Sequence, residues 1–340
     1  ELVSEVTAGG NASLVQYKQG DFAGYRVTHL PSEDHSNITK LVDSFYTKRT
    51  YNADLDKAKS DLRRVLDRHL DRVIKKEGLQ RQTIDDAKHA HTWRHLGELI
   101  TANLHLIKKG SDTAEVVDYM DPDLSTVTIK LDPLLTPNEN AQAMFKKYNK
   151  AKKSLDITQA QLEKTLAERA YLEETLTHIE LAENLGTLRE IKLELEREGY
   201  IKSRGTGKSK AKVTEFSKPE RYTTPDGSII LVGRNNRQND ELTFKMTSPH
   251  DLWFHTQNIP GSHVVLKTNG EPSDEAILAA AVLAARYSKA KTSPKVVVDY
   301  TQRRYVRKPS GARPGFVVYE NFQSIVVDPG TLPPGLAKAK

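Results

Sequence analysis

Residues 251–266, DLWFHTQNIPGSHVVL, bring together an acid, a tryptophan and two histidines. Alternate side chains of a strand share a face, so Asp251, Trp253 and His255 would lie together, with apolar residues on the opposite face. The Pro-Gly-Ser turn then reverses the chain and could return His263 alongside them. A carboxylate, a flat ring and two imidazoles within reach of one another can bind a ligand, hold a metal ion or transfer protons.

Four interpretations of this stretch compete, the first being a metal ion held by Asp251, His255 and His263. Acid/base catalysis by an Asp–His pair is the second, although the sequence shows no nucleophile elbow or phosphate loop. RNA binding is the third, because it needs stacking rings and hydrogen-bond donors near a basic surface. The fourth is structural, with Asp251 capping a turn and Trp253 filling the core. We favour RNA binding, and we predict no catalytic residue, no metal ion and no cofactor.

Basic residues are concentrated in the C-terminal third. The net charge is +6, and residues 286–313 hold nine Lys/Arg against one Asp. The loop QRRYVRKPSGARPG, residues 302–315, sets a tyrosine among arginines that can pair with phosphate and stack on bases, unless it is simply a solvated loop. The polar run RNNRQND, residues 234–240, could hydrogen-bond a nucleotide or cap the following helix, with Asn239 or Asp240 as the cap. The candidate RNA-binding residues are Arg234, Arg237, Asn239, Asp251, Trp253, His255, His263, Arg303, Arg304, Tyr305, Arg307, Lys308 and Arg313.

Narrow leucine stripes run through two long helical segments, one from about Asp54 and one over about residues 140–183. Because charges fill the other faces, the stripes predict an antiparallel coiled coil, with the core helices of a globular bundle as the alternative. Between the two segments lie a helix that we expect Gly110 to close, a strand hairpin and a helix beginning after Pro137. These elements predict a small α/β cap on the tip of the rod, at about residues 92–150.

The C-terminal part alternates strands with two helices. A hairpin across a Pro-Asp-Gly turn, strands at 252–256 and 263–267, an alanine-rich helix capped by Ser273 and three more strands predict a compact α+β domain. The predicted fold class is α+β, a long antiparallel coiled coil with a small α/β cap at its tip followed by this domain. The expected divisions are the end of an N-terminal region at 1–50, arms and cap at 51–200, a basic linker at 201–220, and an RNA-binding domain at 221–330.

Composition excludes several classes of protein. The 340 residues include no cysteine, which excludes disulfides, thiolate-bound zinc and thiol catalysis. The sequence contains no run of eighteen apolar residues, so we expect no membrane insertion. The chain begins at Glu1 rather than Met, so we expect a fragment or a processed chain. The lack of cysteine suits a cytoplasmic protein.

Several long motifs resemble one protein family. GRNNRQNDELT, DLWFHTQNIPGSHVVL and VVVDYTQRRYVRKPSGARPGFVVY, in this order and with an alanine-rich helix before the last, resemble the NFACT-R domain. Upstream, GELITANLHLIKKG, IKLDPLLTPNENAQAMFKKYNKAKK and LREIKLELEREGYIK resemble the middle region of the same proteins. The family is RqcH/NEMF, whose bacterial members are also called fibronectin-binding protein A-like. The resemblance extends over nearly all of the chain.

This resemblance implies a ribosome quality-control factor. Such proteins bind a large ribosomal subunit that carries a stalled peptidyl-tRNA, recruit tRNA and promote untemplated C-terminal tailing, with alanine in bacteria. The ribosome forms the peptide bonds, so we expect a protein that is not an enzyme. The family's NFACT-N domain, with its Asp-Arg pair linked to tRNA recognition, is expected to be missing here. The alternative function is a surface adhesin that binds fibronectin, which would add a cell-surface location.

Overall fold

The computed structural model of the protein describes residues 12–16, 23–27, 38–88, 90–202, 217–268 and 270–339. Its helices are α1 (Ile38–Lys88), α2 (Ala90–Ala102), α3 (Pro137–Leu181), α4 (Leu185–Arg197), α5 (Asn236–Lys245) and α6 (Asp274–Arg286). Its strands are β1 (Ala12–Gln16), β2 (Ala23–Val27), β3 (Thr113–Val117), β4 (Thr126–Lys130), β5 (Glu220–Thr223), β6 (Ile229–Val232), β7 (Leu252–Thr256), β8 (Val264–Lys267), β9 (Val296–Gln302), β10 (Val306–Arg307), β11 (Val318–Tyr319), β12 (Gln323–Val327) and β13 (Ala337–Lys338). Most of the predicted basic linker, residues 203–216, lies outside the described residues.

Helices α1 and α3 pack side by side in opposite directions, and we call α1, α3 and α4 the arm. Two ion pairs show the antiparallel direction, Arg63–Glu180 at 3.2 Å and Arg169–Glu77 at 3.1 Å. The partner in α3 has a lower residue number when the partner in α1 has a higher one. Two leucines of the predicted stripes, Leu66 and Leu172, are fully buried between the helices, and Leu55, Leu70 and Leu176 are partly buried against them. The predicted coiled coil is therefore confirmed.

A small domain closes the far end of the arm, as predicted. Helix α2 and the antiparallel β3–β4 hairpin pack around a buried cluster that includes Ile100 and Ile129. The prediction that Gly110 closes this helix is wrong, since α2 ends at Ala102. The buried Asn103 side chain donates from Nδ2 to the Leu99 carbonyl at 2.9 Å and turns the chain there.

A capping box starts α3. The Glu139 backbone N–H donates to Thr136 Oγ1 at 3.3 Å, and the Thr136 N–H donates to Glu139 Oε2 at 2.7 Å. Replacing Thr136 with alanine should therefore lower the free energy of unfolding of the arm by about 1 kcal/mol. Urea unfolding followed by far-ultraviolet circular dichroism measures the change. Gln142→Ala, at an exposed site of the same helix, is the control, and an equal loss in both variants would contradict the assignment.

The C-terminal domain, which contains β5 to β13, is built on a seven-stranded antiparallel sheet in the order β12-β9-β7-β8-β6-β5-β13. Helix α6 covers one face, where its alanines pack on Phe254 and Leu266. Helix α5 lies on the other face, where Leu242 packs on Trp253 and Val265. Both faces of the central strand β7 are thus covered.

Side-chain caps start both helices of this domain. Ser273 caps α6 as predicted, by accepting from the Ala276 N–H at 3.2 Å. The cap of α5 is Asn235, whose Oδ1 accepts from the Gln238 N–H at 2.8 Å. The prediction of Asn239 or Asp240 as the cap is therefore wrong by four or five residues. Asn239 instead lies inside the helix with its side chain directed at the arm and β8.

Candidate nucleic-acid interface

The two faces of β7 separate as its alternating sequence predicts, but neither face is open. Trp253 is 0% exposed, and it is enclosed by rings at centroid distances of 5.7 Å for His255, 5.1 Å for His263 and 4.9 Å for Tyr319. The expectation of a ring presented on an open face is corrected, because α5 and the arm cover this side of the sheet. In this arrangement Trp253 has no free face on which a base could stack.

Asp251 is also buried and acts within the chain. Its carboxylate accepts the Ser248 N–H at 2.7 Å and the Thr268 N–H at 3.1 Å, and it pairs with Lys267 Nζ at 2.9 Å. These bonds fix the turn before β7 and the end of β8. Asp251 and Trp253 thus occupy the positions that the structural interpretation gives them, with the carboxylate bonded within the chain and the ring in the core.

The polar run before α5 docks onto the arm. The Asn236 Nδ2 group donates to Thr175 Oγ1 at 2.9 Å and to Glu194 Oε1 at 3.0 Å. Arg237 donates its backbone N–H to Glu194 Oε2 at 3.2 Å, and its guanidinium lies 3.6 Å from Glu190. Arg237 and its neighbours therefore hold the C-terminal domain to the arm, and the carboxylates of α4 occupy the positions where phosphates would bind.

Asn239 lies at the centre of this junction. Its Oδ1 accepts the His263 backbone N–H at 3.1 Å, and its Nδ2 is 3.3 Å from His178 Nε2 and 3.5 Å from Glu174 Oε1. Burial lowers the pKa of His178 to about 3, so that its ring is neutral at physiological pH. The side chain of Asn239 thus joins two histidines and an acid that come from the arm and the sheet.

Three more candidate residues have acidic partners within the chain. Arg313 lies over the rings of Tyr171 and Tyr200, at 5.1 Å from each centroid, and donates to Glu198 at 3.1 Å. Arg234 pairs with the buried Glu220 at 3.3 Å. Lys308 pairs with Asp240 of α5. Their charges are neutralised locally, so they offer little to a phosphate backbone in this arrangement.

Among the candidate residues, the accessible arginines lie directly after β9, in residues 303–307, which we call the RRYVR segment. Arg304 is exposed and lies 5.0 Å from the centroid of the half-buried Tyr305. Arg307 keeps 66% of its side chain exposed and pairs with Glu320, which is also exposed. Arg303 is partly buried, since its Nε donates to the Thr243 carbonyl at 2.8 Å. This segment offers a stacked arginine and tyrosine to solvent.

Sequence reasoning missed the acidic side of the junction. Glu190, Glu194 and Glu198 recur every four residues along α4 and share one helix face, which in a charged helix is typical of a solvated surface. In the structure Glu190 and Glu194 are buried against α5. The signal that could have found them is the match of this acidic stripe to the polar run RNNRQND.

The sequence comparisons match both parts of this architecture. The model described as NFACT N-terminal and middle domains matches residues 3–214, and that of the NFACT protein RNA binding domain matches residues 218–320. The chain belongs to the RqcH/NEMF family. The first of these models treats N-terminal and middle domains together, so the expectation that NFACT-N is missing stays a prediction.

Curated relatives in the RqcH/NEMF family share more than a third of the residues. The Rqc2 homolog RqcH of Bacillus subtilis (strain 168) is 37% identical over 305 residues, which are 89% of this chain and 53% of the relative. The Rqc2 homolog RqcH of Streptococcus suis (strain 05ZYH33) is 38% identical over 294 residues, 86% of this chain and 52% of the relative. The chain thus spans about half the length of these relatives.

A solved structure has the same fold. It is the C-terminal part of the fibronectin/fibrinogen-binding protein from Streptococcus suis, with a TM-score of 0.62 and 35% identity, covering 81% of this chain and 95% of that one. The predicted α+β fold of this RqcH/NEMF chain is confirmed. Among the described helices, none is long and apolar enough to cross a membrane.

Proposed function

We propose that this chain is part of a cytoplasmic ribosome quality-control factor. It binds the large ribosomal subunit that carries a stalled peptidyl-tRNA, together with tRNA, and promotes untemplated alanine tailing of the nascent chain. The chain carries out no chemical step itself, because the ribosome forms the peptide bonds. Membership of the RqcH/NEMF family and the similarity to proteins named Rqc2 homolog RqcH support this proposal.

The observation that carries the proposal is the exposed RRYVR segment on a domain that matches an RNA-binding model. Arginine pairs with phosphate through its planar guanidinium, and an arginine stacked on tyrosine suits a single-stranded base or a backbone turn. The arm is docked on the same domain as this segment. A rod fixed to the domain by a buried polar junction carries the cap on its tip at a set distance, so one protein can contact two parts of a subunit.

Neutralising both exposed arginines should weaken RNA binding. For Arg304→Gln/Arg307→Gln we expect about a tenfold rise in Kd for tRNA, equivalent to about 1.4 kcal/mol. The plot of log K against log salt should become less steep, with the magnitude of its slope smaller by roughly two, because two phosphate contacts no longer release counterions. Fluorescence anisotropy with labelled tRNA over a salt series measures both quantities.

A matched control lies on the other side of the sheet. Arg286→Gln removes an exposed charge at the end of α6, and it should leave the affinity and the slope close to those of the parent protein. If Arg286→Gln weakened tRNA binding as much as the double variant, binding would depend on net charge and not on the RRYVR segment, and the proposed site would be wrong. Binding to immobilised fibronectin at physiological salt, measured in parallel, tests the adhesin alternative, which requires fibronectin binding and no binding to large subunits.

A further inference from the structure

A pocket of about 310 Å³ opens where the arm meets the C-terminal domain. Glu174 enters it from α3, and His255 and His263 enter it from β7 and the residue before β8. One ligand atom of each residue can be chosen so that all three lie within 4.8 Å of one another. Asp251, the carboxylate that the sequence offers beside the two histidines, lies elsewhere and bonds the turn before β7. The arm thus supplies the acid of this cluster.

Two polar atoms that border this pocket have no hydrogen-bond partner among the described residues. They are the buried His255 Nε2 and the buried Trp253 Nε1. Buried polar atoms are normally paired, and each exception calls for an explanation. A metal ion bound jointly by both imidazoles and the carboxylate would explain why His255 Nε2 has no hydrogen-bond partner.

The other histidine is held in place by hydrogen bonds. His263 Nδ1 is 2.8 Å from Thr243 Oγ1, and the backbones of Asn239 and Gly315 also lie within hydrogen-bonding reach of the ring. When Nδ1 carries the proton and donates it to the threonine, Nε2 keeps the lone pair that a metal ion needs. Metal-binding histidines are commonly held in this way by a hydrogen bond at their second nitrogen.

Burial favours the neutral forms of the three side chains in this pocket. Burial lowers the pKa of His255 to about 4 and that of His263 well below its usual value, which leaves both imidazoles in the neutral form that binds metals. Burial, and then the nearby charges of Glu194 and Asp240, raise the pKa of Glu174. Its carboxyl therefore also favours the neutral form when no metal ion is bound, and a dication would displace that proton on binding.

We propose that Glu174, His255 and His263 bind one Zn²⁺ ion that links the arm to the C-terminal domain. Two imidazoles and one carboxylate are a donor set that zinc accepts in tetrahedral geometry, with a fourth position for water. The unpaired N–H of Trp253 borders that space and can donate to such a water. The inference is independent of the proposed function, since a metal link between arm and domain needs no RNA.

Trp253 makes the binding visible. The chain has two tryptophans, so Trp93→Phe leaves Trp253, whose ring stacks on His255, as the sole tryptophan, which can be excited selectively over the tyrosines. The untagged Trp93→Phe protein, stripped with a chelator, is titrated with Co²⁺ as a spectroscopic substitute for zinc. We expect saturable quenching of Trp253 at one equivalent, reversal by one equivalent of Zn²⁺, and no response to Mg²⁺, which prefers oxygen ligands.

Two variants test the ligands, and two others serve as controls. Glu174→Gln and His255→Gln should each weaken Zn²⁺ binding by roughly 100-fold or more, since even losing a supporting contact costs 10- to 100-fold. His91→Gln removes a surface histidine that faces another one turn away on α2, and His250→Gln removes an exposed one. Both controls should bind Zn²⁺ as the parent does.

The proposal fails if the parent chain shows no one-to-one binding of Co²⁺ or Zn²⁺. This outcome needs no variant, so it stands even if a substitution at the junction disturbs folding. It also fails if Glu174→Gln and His255→Gln bind as the parent does, or if His91→Gln abolishes the signal. Near-ultraviolet circular dichroism of each variant verifies that the junction is folded.

Discussion

Trp253→Ala should destabilise the C-terminal domain by about 3–5 kcal/mol, the usual cost of removing a fully buried aromatic ring. The ring is 0% exposed, with Leu242, Val265 and Val306 around it, so its removal leaves a cavity that the rigid sheet cannot close. Urea unfolding followed by far-ultraviolet circular dichroism measures the loss. Trp253→Phe fills more of the space and should cost less.

The matched control is an aromatic ring that the domain leaves in solvent. Phe322 is 47% exposed beside Tyr319, and Phe322→Ala should change stability by no more than about 0.5 kcal/mol. A base-stacking role for Trp253 requires the reverse pattern, with little loss of stability and a large loss of RNA affinity. A stable, folded Trp253→Ala protein would therefore contradict the buried placement.

Glu194→Ala should separate the arm from the C-terminal domain at a cost of about 3 kcal/mol or more, since three buried donors each lose an acceptor at about 1–3 kcal/mol. Its buried carboxylate accepts from the Tyr171 hydroxyl at 2.9 Å, from Asn236 Nδ2 and from the Arg237 backbone N–H. Alanine would leave these donors buried without an acceptor, which is the most damaging form of hydrogen-bond loss. We expect a lower urea midpoint and faster proteolysis between arm and domain.

The pair Glu194–Asn236 can be isolated by a double-mutant cycle with Glu194→Ala and Asn236→Ala. A coupling energy of roughly 0.5–3 kcal/mol is expected for residues that share a buried network. Glu196→Ala, on the same helix, is the control and should be close to neutral. Additive losses in the cycle, or a Glu194→Ala protein as stable as the control, would show that the junction does not hold the arm.

Patterns within a single element were read correctly from the sequence. The leucine stripes predicted the coiled coil, because a helix face that repeats over many turns must be buried. Alternation predicted the β3–β4 hairpin, the Pro-Asp-Gly turn predicted the β5–β6 hairpin, and the predicted strand at 252–256 matches β7. The cap at Ser273 follows from one side chain and its own helix. Each of these signals depends on residues that are neighbours along the chain.

Placement across the domain could not be predicted in the same way. Alternation assigns Trp253 and His255 to one face of β7, but it does not say what covers that face. The cover consists of α5 and of α3, which is about 80 residues earlier in the sequence. A strand with aromatic and polar residues on its second face resembles a binding surface until the packing partner is known.

The same lesson applies to the arginines. Arg237 and Arg313 stand in polar, basic stretches that are typical of phosphate-binding loops. Arg304 and Arg307 stand in such a stretch too, so the sequence does not separate the two pairs. What distinguishes them is packing against an acid of a distant segment, such as Glu198, which lies 115 residues before Arg313, whereas Arg307 and its partner Glu320 both stay exposed. A buried acidic stripe turns part of a basic surface into an internal junction, and the RRYVR segment remains accessible.

The most direct test of the proposed ribosomal role is co-sedimentation of the chain with purified large ribosomal subunits that carry peptidyl-tRNA, over a series of salt concentrations. We predict that the parent protein and Arg286→Gln pellet with the subunits at low salt, and that Arg304→Gln/Arg307→Gln remains largely in the supernatant. A parent protein that stays in the supernatant at every salt concentration, or a double variant that pellets as well as the parent, would contradict the account.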